Sequence, residues 1–124
     1  MPSQKDIVEV VFPFHQQSQT EKTHSIVVIS TEDIMNIEDG MFYGVLLSGE
    51  KQPEEFSVEL TEDMINILNE DVQKKFTHVK AHMIYPFDKN YLGNIKHIGT
   101  VTNEAFEVIK NQIIKSIFIE IDDH

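Results

Sequence analysis

Residues 76–88 read FTHVKAHMIYPFD, and this stretch predicts a strand over residues 77–84, with Pro86 in the link that follows. Its alternation puts three apolar side chains on one face and three basic or titratable ones on the other: Val79, Ala81 and Met83 against His78, Lys80 and His82. That period of two is typical of a half-buried strand. Residues two apart on one face lie about 6.6 Å from each other, so Lys80 and His82 can flank one phosphate group. An ordinary solvated strand face has the same pattern, and alternation alone leaves both interpretations open.

Further apolar segments predict strands around this one, at residues 7–12, 25–30, 41–48, 56–60 and 95–101. Val and Ile are frequent in these segments, and Gly, Pro or Asp-Gly separate them, as expected of short strands joined by turns. Five or six such strands followed by a helix predict an α+β fold. We expect a small curled β-barrel of the SH3-like kind.

Three helices are predicted in the connections and at the C-terminal end. Thr31 is expected to cap a short helical turn, and Thr61 to cap a helix over residues 61–75. The last helix, capped by Thr102 or Asn103, carries apolar residues at spacings that share one face: Phe106, Ile109, Ile113 and Ile117. This amphipathic helix is expected to close the barrel.

Length and composition limit the possible classes of protein. A chain of 124 residues predicts one domain over residues 1–124, with an acidic tail at 118–124 that is expected to fray. The sequence contains no Cys, which excludes disulfides and thiolate chemistry. The first residues lack the form of a secretory signal, and the apolar run at 7–14 is too short to span a bilayer. We therefore expect a cytoplasmic protein that has no cofactor and does not bind membranes.

The charge balance restricts how this chain can bind nucleic acid. The net charge is −11, and all ten basic residues other than His are lysines. A general nucleic-acid binder neutralises phosphates with a basic patch, whereas this chain as a whole would repel them. Any contact with RNA must therefore be local, at one cationic groove within an acidic surface.

Several segments, in order along the chain, carry a family resemblance: Asp6-Ile7-Val8, Phe12-Pro13-Phe14, Ile26 to Ser30, Leu46-Leu47-Ser48, Val79 to His82, Phe87-Asp88-Lys89 with Leu92, and Ile98-Gly99. Together they resemble the PemK/MazF family of toxin endoribonucleases over nearly the whole chain. The resemblance implies a CcdB-like barrel, a homodimer, cleavage of single-stranded RNA without a metal ion, and an antitoxin as protein partner.

The chain departs from the family pattern where the resemblance would place functional residues. His24-Ser25 replaces an Arg-Pro pair, and Leu47-Ser48 replaces a Thr-Ser pair. Lys80 and His82 replace an Arg and an acidic residue. The departures leave a second hypothesis open, in which the chain is a catalytically degenerate dimeric module that binds a protein or a peptide.

The remaining residues still form a workable set for cleaving RNA. Such cleavage needs a base, an acid and a cation that holds the phosphate oxygens, and imidazole can exchange protons near neutral pH. We predict His82 as the base, His24 as the acid and Lys80 as the cation. His24 could equally be an exposed residue at a strand start.

Three further residues are predicted to bind the substrate, and each has an ordinary alternative. Ser48 can donate a hydrogen bond to phosphate, or can simply begin a turn before Gly49. His15 would border the RNA groove, although polar loops often contain His. Phe56 would offer a contact surface, although a Phe on an alternating strand is more often part of a core.

A metal site is not predicted, although the chain has six His. His78 and His82 would share a strand face at about 13 Å, which is too far for one ion. The His-x3-His spacing chelates a metal on a helix and not on a strand.

Overall fold

The computed structural model describes residues 2–12, 22–67, 76–90, 92 and 95–120. Within these ranges the chain forms seven strands, two α-helices and two short 3₁₀ turns. In chain order they are β1 (Asp6–Phe12), β2 (Lys22–Val28), α1 (Glu32–Ile37), β3 (Met41–Ser48), a 3₁₀ turn (Glu54–Phe56), β4 (Ser57–Glu59), a second 3₁₀ turn (Glu62–Met64), β5 (Ile65–Ile67), β6 (His78–Asp88), β7 (Lys96–Val101) and α2 (Asn103–Phe118). The strands form a curled antiparallel half-barrel followed by a C-terminal helix, which confirms the predicted α+β class and barrel-like architecture.

The sheet has the order β4-β6-β3-β2-β1-β7-β5, and the strand pairs given by the register are all antiparallel. The two three-residue strands, β4 and β5, are therefore its edges.

Both faces of the sheet are covered, which explains the uninterrupted apolar runs of its inner strands. Ile7 and Val27 belong to one hydrophobic core, into which α2 inserts Ala105, Phe106 and Ile109. The alternate residues of the same strands belong to a second core on the other face, together with Met35 of α1 and Phe87 of β6: Val8, Val10, Ile26 and Val28. We call these the helix-side core and the second core.

Strand β6 follows the predicted alternation at first and then slips. Val79 and Ala81 are buried, whereas His82 is exposed. The ladder with β3 jumps from Leu47↔Val79 to Val45↔Ile84, so that β6 contains three extra residues. Because Val79 and Ile84 both pack in the helix-side core, the odd and even faces of β6 exchange between them. Lys80 and His82 lie inside this slip.

The predicted helix over residues 61–75 is wrong in its described part. Thr61 precedes only a 3₁₀ turn, and residues 65–67 form strand β5, which pairs with β7. Residues 68–75 lie outside the described ranges. Thr61, Glu62 and Asp63 are good helix-start residues, but pairing of Ile65 with Val101 buries Ile65 in the helix-side core and overrides that preference.

Strand boundaries also differ from the prediction at two places. β2 ends at Val28, and it begins three residues earlier than predicted, at Lys22. β6 continues through Pro86 to Asp88. Pro86 has no N–H, and its ladder partner on β3 is Tyr43. The carbonyl of Tyr43 accepts a hydrogen bond from the Ile29 N–H and does not need one from residue 86, so the proline removes no bond between β6 and β3.

The helix ends were only partly predicted. The Thr102 side chain accepts the Ala105 N–H as expected, whereas Thr31 precedes α1 without a capping bond from its side chain. The predicted apolar face of α2 is buried at Phe106 and Ile109, but Ile117 is 46% exposed. Among the described residues, no helix has the length and apolar character needed to cross a bilayer.

Candidate functional site

The sheet opens into a fork between β2 and β3. Their ladder ends at the pair Ile26↔Leu46 in the described part of the chain. Beyond that pair, β2 continues along β1 as far as Lys22, and β3 continues along β6 as far as Ser48. The two strand pairs therefore separate, and the gap between them is open at the end of the barrel.

A cavity of about 600 Å³ occupies this fork. Both polar or charged and apolar residues line it. The residues that line it are Glu9, Thr23, His24, Ser25, Leu46, Leu47, Ser48, Gly49, Glu50, Phe76, Lys80 and Ile98. The fork thus brings together three of the predicted site residues: His24, Ser48 and Lys80.

Lys80 enters the cavity from β6, where Ser57 of β4 is its ladder partner. Its side chain is half-buried, and it forms no ion pair with any described residue. An ammonium that pairs with no carboxylate can attract an anionic ligand, and it does so more strongly where water is partly excluded. Lys80 is therefore placed to hold a phosphate.

Ser48 ends β3 at the edge of the fork, and its hydroxyl oxygen accepts two hydrogen bonds. The donors are the Glu50 N–H at 3.1 Å and the Gln52 Nε2 at 3.2 Å. A hydroxyl has two lone pairs and one hydrogen, so these contacts leave its O–H available to donate. Ser48 therefore begins a turn, as one interpretation predicted, and its O–H is left available to a ligand.

His24 is placed on β2 opposite Val10, which belongs to the second core. Residues opposite each other in a ladder share a face, so His24 lies on the second-core face, and its neighbours Thr23 and Ser25 lie on the helix-side face. The Nε2 atom of His24 is buried. His24 therefore borders the cavity as a largely enclosed side chain and is not the exposed strand-start residue of the alternative interpretation.

His82 and Phe56 form a second group beside the cavity. Their rings are in edge-to-face contact with centroids 5.3 Å apart. Phe56 ends the 3₁₀ turn that leads into β4, and α2 holds this turn through a hydrogen bond from Gln112 Nε2 to the Glu55 carbonyl at 2.7 Å. An exposed imidazole beside a half-buried aromatic ring offers a surface on which a base can stack.

The predicted pairing of Lys80 with His82 in one pocket is not what the structure shows. Lys80 lines the cavity, whereas His82 does not and contacts Phe56 instead. Both residues lie between Val79 and Ile84, where β6 has no regular ladder with β3. His15 lies outside the described residues.

Glu9 and Glu50 also line the cavity, and sequence reasoning did not identify them. A signal for Glu9 was present, since it is the single charge inside the Val- and Ile-rich run of β1. Glu50 had none, because it follows Gly49 in a polar loop. With these two carboxylates against one ammonium, phosphate can be favourable only close to Lys80. Within the described residues, no three His, Asp or Glu side chains converge to hold a metal ion.

The chain is similar to known proteins both in sequence and in structure. The sequence model of one protein family, described as PemK-like, MazF-like toxin of type II toxin-antitoxin system, matches residues 3–117. No curated protein matches the chain significantly.

Solved structures share the fold at low sequence identity. A mycobacterial endoribonuclease in complex with its cognate antitoxin is 14% identical, with a TM-score of 0.69, over 98% of this chain and 99% of that chain. MazF in a MazE–MazF structure from Deinococcus radiodurans is 12% identical, with a TM-score of 0.72, over 96% and 98% of the two chains. A further mycobacterial endoribonuclease is 15% identical, with a TM-score of 0.63, over 94% and 90%.

Proposed function

Because the chain belongs to the PemK-like, MazF-like toxins of type II toxin–antitoxin systems, we propose that it is an endoribonuclease that cleaves single-stranded RNA in the fork of its sheet. The observation that carries the proposal is Lys80, a half-buried ammonium without an ion pair among the described residues, in a cavity of about 600 Å³. Cations are otherwise sparse in a chain of net charge −11, so a lysine in that position needs an explanation.

The cavity residues can be assigned chemical roles that need no metal ion. Lys80 stabilises the negative charge that develops on the phosphate oxygens during attack by the 2′-hydroxyl. Ser48 donates its O–H to a phosphate oxygen. His24 is the imidazole that borders the cavity and is proposed to transfer protons there, once the ring turns so that a nitrogen faces the substrate.

His82 keeps its proposed role as the base only if the RNA passes over β6 from the cavity. The geometry favours a different role, in which His82 and Phe56 support a base by stacking next to the phosphate held by Lys80. Phe56 directly precedes Ser57, the ladder partner of Lys80, so the two groups are adjacent on the surface.

The proposed partners of the protein are an antitoxin and a second copy of the chain. The antitoxin is supported by structural neighbours that were solved with one: the mycobacterial endoribonuclease complex and MazE–MazF. A homodimer is supported by the apolar residues that the end of α2 exposes: Ile114, Ile117, Phe118 and Ile119. Sizing in solution at several protein concentrations tests the dimer.

The proposed function is tested with the purified chain and a labelled single-stranded RNA in the presence of EDTA. We expect cleavage, and we expect Lys80→Gln to reduce its rate by about 100-fold or more, as the loss of a charge-stabilising group does. Lys115→Gln is the matched control, since it removes an exposed ammonium of α2 and changes the net charge equally. Induced expression should arrest growth, and Lys80→Gln should relieve the arrest.

Two outcomes would contradict parts of this proposal. No cleavage by the wild-type chain would reject the enzyme. Cleavage that Lys80→Gln leaves unchanged would retain the enzyme class and reject the site.

A non-catalytic binding module is the second candidate, and the carboxylates of the cavity favour it. Glu9 and Glu50 repel a polyanion such as RNA. A peptide is not repelled in this way, and its N–H groups can donate hydrogen bonds to the two carboxylates. Harmless expression and absence of cleavage, together with a stable complex with an antitoxin-like protein, would support this candidate.

A further inference from the structure

Glu9 has surroundings that are unusual for a carboxylate. It lies in the middle of β1 with Ser25 and Lys96 as its ladder partners, and its side chain is half-buried at the wall of the cavity. It forms no ion pair and no side-chain hydrogen bond with another described residue. A carboxylate at the wall of a cavity, without a partner among the described residues, is available to accept hydrogen bonds from a ligand.

The chemistry of a carboxylate defines what Glu9 can bind in an RNA. An ionised carboxylate only accepts hydrogen bonds, so it repels phosphate and attracts N–H donors. In single-stranded RNA the Watson–Crick edges of the bases are available for such contacts. Guanine presents two adjacent donors there, N1–H and the N2 amino group, and these match the two oxygens of a carboxylate. Adenine, cytosine and uracil each place an acceptor beside the donor.

The cavity has a positive charge on one side and a negative charge on the other, which suits the phosphate and the base of one nucleotide. Lys80 provides the cation and comes from β6, on one side of the fork, whereas Glu9 comes from β1, on the other side. Phosphate is favoured near Lys80, and a base with donors is favoured near Glu9. Ile98 of the helix-side core also lines the cavity, and its side chain is apolar.

We infer that Glu9 is a specificity-determining residue, which selects a guanine beside the cleaved bond by accepting hydrogen bonds from its Watson–Crick edge. The inference rests on the proposed ribonuclease function and adds the base that the site reads. Glu50 also lines the cavity, but its side chain is exposed and therefore better hydrated, so we assign the selection to Glu9.

The test uses an RNA pool with randomised positions, and the ends of the products are sequenced. For the wild-type chain we expect guanine to be enriched at one position next to the cut. Glu9→Gln should reduce this enrichment roughly 5- to 150-fold, the range expected for loss of a bidentate contact to a base. Total cleavage of the pool should change by much less. Glu59→Gln, an exposed residue of edge strand β4, is the matched control and should keep the wild-type preference.

A second measurement changes the RNA and not only the protein. Replacing guanine by inosine at the selected position removes only the N2 amino group, and we expect the wild-type rate to fall, whereas Glu9→Gln should respond little to the replacement. If Glu9→Gln does not fold, the wild-type chain still tests the inference, because a rate that inosine leaves unchanged rejects it.

The possible outcomes separate this inference from the proposed function. Absence of cleavage by the wild-type chain rejects the function and the inference together. Cleavage without a guanine preference, or with a preference that Glu9→Gln or inosine leaves unchanged, rejects the inference alone. A fall in rate that is equal for all RNAs in Glu9→Gln also rejects it, because such a residue would act in catalysis or in folding.

Discussion

Two side chains of β6, only two positions apart, have different surroundings. Lys80 enters the cavity of the fork, and His82 contacts Phe56 outside it. From the sequence alone, Lys80 and His82 would be taken as one pair of basic residues with a common role. In the proposed function, Lys80 binds phosphate and His82 supports a base, so a substitution at either residue tests one of these proposed roles alone.

His82→Phe distinguishes a stacking role from proton transfer. The substitution retains a ring beside Phe56 and removes the titratable nitrogens. Because His82 does not line the cavity, we expect His82→Phe to keep the cleavage rate within about threefold, whereas a lost base would lower it roughly 100-fold or more. Single-turnover cleavage of a labelled RNA measures this.

His82→Ala is the companion variant, since it removes the ring as well. We expect it to weaken RNA binding by roughly 1–3 kcal/mol, the value of one stacked base. A collapse of the rate in His82→Phe would restore His82 as the base and would mean that the RNA crosses β6.

At the scale of the element, the site depends on where ladders end and slip. The fork exists because β2 and β3 separate beyond Ile26↔Leu46, and β6 carries extra residues opposite Leu46, in the segment that holds Lys80 and His82. At the other edge of the sheet, β5 lies unusually close to β7. A Cβ on Gly99 would collide with the backbone carbonyl oxygen of Asn66.

Gly99→Ala is therefore expected to destabilise the edge of the barrel. The added methyl group must push β5 away from β7, and backbone cannot yield as a side-chain tip does. We expect a loss of about 1–3 kcal/mol in the free energy of unfolding, measured by urea denaturation. Asn66→Ala is the control, because it trims an exposed side chain on the same pair of strands and should change stability by less than about 0.5 kcal/mol. Equal stability of Gly99→Ala and wild type would contradict the close approach.

At the scale of the whole molecule, a net charge of −11 opposes the approach of RNA to a local cationic site. Repulsion from the acidic surface acts over long range, whereas the contact at Lys80 acts at short range. Salt screens the long-range part first, since the Debye length falls from about 30 Å at 0.01 M to about 8 Å at 0.15 M.

We therefore expect kcat/KM for RNA to rise when KCl is increased from 10 mM to 150 mM. Basic nucleic-acid binders show the opposite, because salt weakens their many phosphate contacts. Initial rates at low substrate concentration measure this, and sucrose at equal osmolality controls for effects of the solute. A monotonic fall of kcat/KM over this range would show that more cationic residues than Lys80 contact the RNA.

The class of fold, most strand positions and the C-terminal helix with its Thr102 cap could be predicted from the sequence. So could the alternation that buries Val79 and Ala81 and leaves Lys80 only half-buried. These features follow from local periodicity and capping, which a single segment encodes. Three features are seen only in the folded protein. Residues 65–67 pair as a strand, Lys80 lines the cavity whereas His82 does not, and Glu9 lines the same cavity as Lys80. Ladder ends, register slips and cavities arise from how distant segments pair, and a residue's own neighbours in the chain do not encode them.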